Sequence, residues 1–351
     1  IFAAVPSLHE EGVIWTGSDD GLVHITRDGG ENWANITPAD LPEFTQINSM
    51  EADPFHAGGC YLAATRYKWG DNTPFLYYTN DYGQSWTRID DGINRMHFTR
   101  VVRCDPNREG LLFAGTEYGL YLSFNNGKNW QVFQNNLPMV PITDLQVKER
   151  HLIAGTQGRS IWILDDLSPL YELDHEWSET VHLFQPKPAY LMNAGHGGKS
   201  KTMGENHPDG AIINYYIGDV DTITSTYSLR FLDDKGDELV AYSSRSDKEE
   251  YRWIPEKGAN RFIWDLRTRG IDKVKGMILW WAFQSGPRVV PGTYTVELAA
   301  GTDTLTVPLE VLMDPRVTAG KEDLQAQYDF LMEIRTNMER MNNTILEIRS
   351  V

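Results

Sequence analysis

The chain has 351 residues, is 41% hydrophobic and 23% charged, and carries a formal net charge of −17. Such a balance gives a globular chain with a sizeable core, and its acidity argues against nucleic acid and anionic membrane surfaces as partners. No apolar run approaches the ~18 residues of a membrane-spanning helix, and the 11 Trp, 16 Tyr and 13 Phe favour extended structure.

The chain opens without methionine in a strand-like run, IFAAVPS, and ends in a helical one, LEIRSV. It reads as an internal part of a longer protein. The first feature along it is a repeat. TRDGGENW at 26–33 returns as TNDYGQSW at 79–86 and SFNNGKNW at 123–130, a Ser/Thr-x-Asp-x-Gly-x-x-Trp box with Asn125 in the third copy. More than the box repeats: VIWTGSDDGLVHIT precedes the first and LLFAGTEYGLYLS the third. A fourth copy, LIAGTQGRSIWILDD, keeps Gly155-Thr156 and loses the box. Each unit reads strand, turn, strand, box, strand, with a further strand before it such as 98–106 or 142–147. Four antiparallel strands per unit make a β-propeller blade. Residues 1–170 are therefore expected to be about four blades. Closed propellers usually have more, so further chain or a partner is expected at the Ile1 edge, where a bare strand would invite aggregation.

Residues 171–210 read as a linker, with the glycine-rich NAGHGGKSKTMGENHPDG in its second half. Residues 211–315 alternate strand-like runs, among them AIINYYIG, NRFIWDLRT and GTYTVELAA, with turns such as DDKGDE. That spacing predicts an immunoglobulin-like β-sandwich. From 316 to 351 the period turns helical. Leu324, Leu331, Met338 and Ile345 form one row and Ile334, Met341 and Ile348 a second, with Thr318 as N-cap and Glu322 and Asp323 in the first turn. The fold class is mainly β: part of a propeller, a sandwich and a C-terminal helix.

Nothing in the box pairs a nucleophile with a base. Its Asp can accept backbone hydrogen bonds, its Gly can take positive φ and its Trp can fill the gap between blades. Asn125 keeps the acceptor and drops the charge, as a turn staple allows. Because consecutive strands are antiparallel, the boxes share one face, and the turns GSDDG, ATRYKWGDNTP, GTEYG and GTQGR share the other with the connections between blades. Ligand sites favour loops on a rigid scaffold, so the box-free face carries the candidates. They are Asp19 and Asp20 in the first turn, Arg66, Tyr67, Lys68, Trp69 and Asp71 in the second, Glu117 and Tyr118 in the third, and Arg159 in the fourth. Aromatic and charged groups together suit a protein, peptide or glycan ligand. Two carboxylates ~5–9 Å apart could instead hydrolyse a glycosidic bond, with Asp71 and Glu117 as possible members. No cofactor is expected. Cys60 and Cys104 lack metal spacing and stand as two buried thiols or one pair. His196 and His207 in the linker do not make a convincing metal site. Asp53-Pro54 and Asp105-Pro106 recur at equivalent places and predict a repeated turn.

The box is similar to the Asp-box, or BNR repeat, of sialidases, xyloglucanases and sortilin-type propellers. The wider run resembles large secreted bacterial proteins described as sortilin-like or BNR-repeat glycosyl hydrolases. IWTGSDDGLVHITRDGGENWANITP, GLLFAGTEYGLYLSFNNGKNW, GRSIWILDDLSPL, GENHPDGAIINYYI and GPRVVPGTYTVEL carry the resemblance, which covers nearly the whole chain. It implies propeller blades, an immunoglobulin-like domain and helices, and export to the periplasm, cell surface or medium. It implies no reaction, since the box is a fold element. Arg66, Arg100 and Arg159 lack flanking motifs for a sialidase arginine triad, and Gln157 stands where the group has His before Gly-Arg. Two functions follow: an extracellular binding or scaffold module, or a glycoside hydrolase sharing its site with other blades.

Overall fold

Thr26, Thr79 and Ser123 each end the third strand of a four-stranded antiparallel sheet in the computed structural model, which describes residues 1–174, 177, 180–192, 207–221, 225–274, 276–278 and 284–350. The first sheet runs Ala3–Pro6, Ile14–Gly17, Val23–Thr26, Ala34–Asn35. The second runs Gln46–Ala52, Cys60–Arg66, Asp71–Thr79, Thr87–Arg88, and the third Thr99–Cys104, Leu112–Thr116, Gly119–Ser123, Gln131–Val132. A fourth has three strands, Ile142–Lys148, His151–Thr156 and Ile161–Leu164. Each is a meander in chain order, and the first strands of successive sheets lie side by side. These are propeller blades arranged around an axis lined by their first strands. Between neighbouring blades lie three apolar clusters: one around Trp15, Ile47 and Tyr77, one around Tyr61, Leu76 and Trp130, and one around Phe113, Ile142 and Leu152.

The box is a hydrogen-bonded turn. In the second copy the Thr79 hydroxyl donates to Asp81 at 2.8 Å and accepts from the Gly83 N–H at 2.9 Å. Asp81 also accepts the Ser85 N–H at 2.9 Å and the Ser85 hydroxyl at 2.6 Å. The first copy repeats this with Thr26, Asp28 and Asn32. Hydrogen bonds from Asn32, backbone then side chain, and from Thr26 hold the Asp28 carboxyl down to about 2. In the third copy Asn125 accepts the Asn129 N–H at 3.0 Å, so a carbonyl oxygen serves where a carboxylate stood. Asp81→Asn is accordingly expected to change stability by less than about 0.5 kcal/mol, and Asp81→Ala to lower it by about 1–2 kcal/mol, as for a lost cap. Urea denaturation of both variants checks this; an equal loss for Asn and Ala would show that charge, not acceptor geometry, matters.

The Asp-Pro turns are also structural. Asp53 and Asp105 are buried, accept the N–H two residues on at 2.8 and 2.7 Å, and receive the hydroxyls of Tyr78 and Tyr171 at 2.8 and 3.0 Å. Cys60 and Cys104 are free and buried, and burial pushes both thiols up. Tyr171 comes from a short helix, Ser168–Glu172, and Arg108 donates to the Leu170 and Leu173 carbonyls, so this stretch returns to the third blade. Compact units divide at Trp177 and Ser178.

In the second unit, Val181–Leu183, Ala211–Ile217 and Gly258–Trp264 form one sheet. Ala189–Leu191, Asp303–Met313, Gly292–Ala300, Tyr227–Leu232 and Glu238–Ser243 form the other, in that spatial order. Both bury their inner faces in one core, where Phe231 stacks on Trp264 with ring centroids 4.3 Å apart. Two of these strands lie in the expected linker, which is thus a connection only in part. Residues 193–206 of its glycine-rich segment, His196 among them, lie outside the described residues. The last helix spans Lys321–Ser350. The Leu324 N–H bonds the Gly320 carbonyl at 3.2 Å, and the Asp323 carboxylate takes the Gly320 N–H at 3.1 Å. Gly320 therefore caps it rather than Thr318, because Asp323 supplies the return bond. Leu324, Met338 and Ile345 are half-buried, Asn342 is buried and donates to the Asp272 carbonyl at 2.8 Å, and Leu331 with the whole second row is exposed.

Candidate functional site

The box-free face is built from turns between second and third strands docked on the connections between blades. The Phe44 N–H bonds the Asp20 carbonyl at 3.1 Å, the Glu117 N–H the Phe98 carbonyl at 3.1 Å and the Gln157 N–H the Pro141 carbonyl at 2.9 Å. The second turn is longer. Tyr67–Trp69 form a 3-10 turn that Gly70 closes at φ +77°, a conformation where a side chain is strained. This turn lifts Trp69 into solvent, 62% exposed.

The turns carry an aromatic ridge across three blades. Phe44 packs on Trp69 at 5.6 Å, Tyr67 stacks on Phe98 at 4.8 Å and His97 stacks on Tyr118 at 4.7 Å. Guanidinium groups lie against two of the pairs: Arg66 is 6.0 Å from the Trp69 ring, and Arg100 is 5.1 Å from Phe98 and 5.9 Å from Tyr67. Each arginine is held by an acid, Arg66 by Asp71 at 3.9 Å and Arg100 by Glu117 at 2.5 Å. Burial works against the Asp71 carboxylate, but hydrogen bonds from Thr73 and the Arg66 charge prevail and lower it. His97 is shifted down by burial, and its Nδ1 lies 2.9 Å from the Tyr121 hydroxyl. Phe44 has φ +59° although it is not glycine. That backbone costs about 1–2 kcal/mol, and here it presents an exposed aromatic ring.

Arg66, Tyr67, Trp69, Asp71, Glu117 and Tyr118 thus come together on one ridge, and Lys68 beside them donates to Gln46 at 2.8 Å. Asp20 lies in the first turn, where its carbonyl accepts the Phe44 N–H, and its carboxylate is held low by the Ser18 hydroxyl and the Leu22 N–H. Arg159 is exposed in the fourth turn and donates to the Gly158 carbonyl at 3.1 Å. Of the three arginines, Arg66 and Arg100 each pair with an acid, and Arg159 stands in a different turn. Sequence reasoning passed over Phe44, His97 and Phe98. Their signal was the repeated Phe-Thr of EFTQI and HFTRV at equivalent connections.

A second polar cluster lies toward the box side, on the first strands. Arg103 donates to Ser49 at 2.6 Å, to the Leu145 carbonyl at 2.8 Å and to Asp144 at 2.9 Å, and lies 3.6 Å from Glu51. Beside it is a cavity of about 270 Å³, also lined by Pro54, Pro106 and Gln146. Burial raises the Glu51 carboxyl to about 7, Arg103 pulling down and Asp144 pushing up. Among the described residues no group of three or more His, Cys, Asp and Glu could hold a metal, and no helix is long and apolar enough to cross a membrane.

No protein-family model and no curated protein matches the chain. Among solved structures it is similar to YCF48 bound to D1 peptide, at 21% identity and TM-score 0.37, over 47% of this chain and 51% of that one. It is also similar to the GH74 xyloglucanase from Xanthomonas campestris, at 14% identity and TM-score 0.37, over 87% of this chain and 45% of that one. An ancestral GH74 enzyme matches at 14% identity and TM-score 0.38, over 69% of this chain and 32% of that one. The chain thus spans about half the length of these structures or less.

Proposed function

We propose that this chain is an exported binding module whose ridge takes a protein or peptide segment, within a two-part architecture of propeller and immunoglobulin-like sandwich. The aromatic ridge carries the reading. Exposed Trp and Tyr interleaved with Arg are the residues that dominate protein-binding surfaces, and here they are already stacked and held, so little side-chain entropy is lost on binding. The strained Phe44 adds to it, since strain of this kind collects where a surface is used.

A hydrolytic reading needs a protonated carboxyl beside the sugar platform. Asp71 is lowered and paired with Arg66. Glu51, the described carboxyl that burial lifts toward neutrality, sits toward the box side beside the Asp-Pro turns, away from the ridge. Among the described residues, the carboxyls on the ridge, Asp71 and Glu117, are both paired with arginine, which favours the binding reading.

The test is a peptide array probed with the full chain and with a Trp69→Ala/Tyr118→Ala variant. The wild type is expected to retain a discrete set of peptides, and the variant to lose them at least ten-fold with unchanged circular dichroism. Release of reducing sugar from xyloglucan or of sialic acid from a sialoglycan by the wild type would overturn the reading in favour of a hydrolase.

A further inference from the structure

In the second unit, Glu238–Ser243 is the last strand of the five-stranded sheet, and the chain beyond Trp264 folds back against it. The Arg269 N–H bonds the Leu239 carbonyl at 2.7 Å, and the Gly270 N–H bonds the Tyr251 hydroxyl at 2.9 Å. This returning segment is paired in turn with residues 284–288. The Thr268 N–H bonds the Pro287 carbonyl at 2.9 Å and the Ile271 N–H the Gln284 carbonyl at 3.1 Å. Two glycines permit so close an approach. A Cβ on Gly270 would lie 2.3 Å from the Gln284 carbonyl oxygen, and one on Gly286 would lie 2.1 Å from the Thr268 carbonyl oxygen.

The strand and the two paired segments wall a cavity of about 270 Å³. Val240 and Ile271 give it a buried apolar lining, and Tyr242 and Tyr251 add half-buried rings with centroids 6.0 Å apart. Two acids and two bases stand around it, each partly exposed: Lys273 is 3.9 Å from Glu250 and Arg267 is 3.8 Å from Asp265. Their charges cancel, and both separations exceed hydrogen-bond length, so these groups keep donors and acceptors to offer. Burial, then the Asp265 charge, pushes the Tyr242 hydroxyl up, so it stays a neutral donor. Gln284 also lines the cavity, and its Oε1 is buried with no hydrogen-bond partner among the described residues. A buried acceptor without a donor is unfavourable, and a ligand hydroxyl would relieve it.

This combination narrows the ligand class. An anion would meet no net positive charge here, and a wholly apolar ligand would leave Gln284 unpaired and bury charges without partners. A sugar ring is neutral, lays an apolar C–H face on tyrosine, and carries hydroxyls that both donate and accept. We propose that this cavity binds a neutral saccharide, with its ring against Tyr242 and Tyr251 and its hydroxyls on Gln284 Oε1 and the two ion pairs. An apolar cleft with a few placed polar groups is the usual form of a small-ligand site. The site belongs to the second unit and does not depend on the aromatic ridge.

The test is an array of neutral, sialylated and sulfated oligosaccharides probed with the full 351-residue chain. The wild type is expected to retain a discrete set of neutral glycans. Gln284→Met, which keeps the shape and removes the acceptor, should weaken retention at least ten-fold with unchanged circular dichroism. Glu250→Ala/Lys273→Ala, which alters only partly exposed side chains, should do the same. The ridge variant Trp69→Ala/Tyr118→Ala should bind these glycans as the wild type does. Retention of no neutral glycan, retention of sialylated or sulfated glycans alone, or full binding by Gln284→Met overturns the proposal. Loss of glycan binding in the ridge variant with retention in both cavity variants overturns it too, and would move the sugar to the propeller.

Discussion

Trp130→Ala is expected to lower the stability of the propeller blades by about 3–5 kcal/mol, and Trp33→Ala by less than about 1 kcal/mol. The two residues occupy the same position of the same box, so propensity and turn chemistry cancel. They differ in what they touch. Trp130 is 5% exposed and sits in the core between the second and third blades. Its indole donates to Ile89 and its backbone N–H to Asp91 at 2.9 Å, so both anchor points belong to the preceding blade. Gly92 shows how close that approach is: a Cβ there would lie 2.3 Å from the Trp130 carbonyl oxygen. Trp33 donates to Gly30 of its own turn at 3.1 Å and leaves 45% of its surface to solvent. Removing Trp130 therefore deletes a large buried face, opens a cavity and leaves the Ile89 carbonyl without its donor, whereas removing Trp33 does none of these. Urea denaturation of the full chain, with amide exchange following the second and third blades, measures the difference. Equal losses for the two variants would mean that the box tryptophan acts within its own turn and that its bond to the preceding blade is incidental.

The box was legible because its bonds close within about five residues. Thr79, Asp81, Gly83 and Ser85 are near neighbours in sequence, and the turn they make follows from their donors and acceptors alone. Even here one cause was hidden: a Cβ on Gly83 would lie 2.4 Å from the Ile36 side chain of the preceding blade, so its glycine answers to packing as well as to φ. The ridge was half legible. Its turn residues stood out as charged and aromatic groups in one loop, but Phe44 and Phe98 lie on connections that become neighbours only when blades stack. The strands Val181–Leu183 and Ala189–Leu191 were missed for a related reason. Three residues are too few to show a period of two, and their partners, Ala211–Ile217 and Asp303–Met313, are remote in sequence. The helix start moved from Thr318 to Gly320 because the carboxylate of Asp323 can bond an N–H before the helix as well as lie in its first turn. Glu51 and Arg103 gave no signal at all. Each sits in a first strand of mixed polar and apolar residues, and only the alignment of those strands around the axis brings them within 3.6 Å.

That alignment gives Glu51 a measurable effect on stability. Its carboxyl titrates at about 7 in the folded chain, against an ordinary value of 4.5, because burial penalises the charge more than Arg103 rewards it. Between those two pH values the folded state holds a proton that the unfolded state has released. Stability from this group is therefore complete below about pH 4.5 and is lost as pH rises through about 7. The shift corresponds to about 3 kcal/mol at most, and water reaching the cavity reduces it, so a loss of about 1–3 kcal/mol between pH 5 and pH 8 is expected. Glu51→Gln keeps the shape and removes the titration, and Arg103 retains Asp144 at 2.9 Å. The variant should match the wild type at pH 5 and exceed it by that amount at pH 8. The lowered carboxyls, Asp20, Asp28, Asp71, Asp81, Asp272 and Asp314, act in the opposite sense and in a different window, since their contribution is lost only as pH falls below about 3.8. They leave the interval from pH 5 to 8 to Glu51 and to His97, whose burial-lowered imidazole gains stability as pH rises through 6.5, so the comparison with Glu51→Gln is what isolates Glu51. Parallel stability curves for wild type and Glu51→Gln across that interval would show that Glu51 is charged throughout, and that Arg103 outweighs burial at the axis.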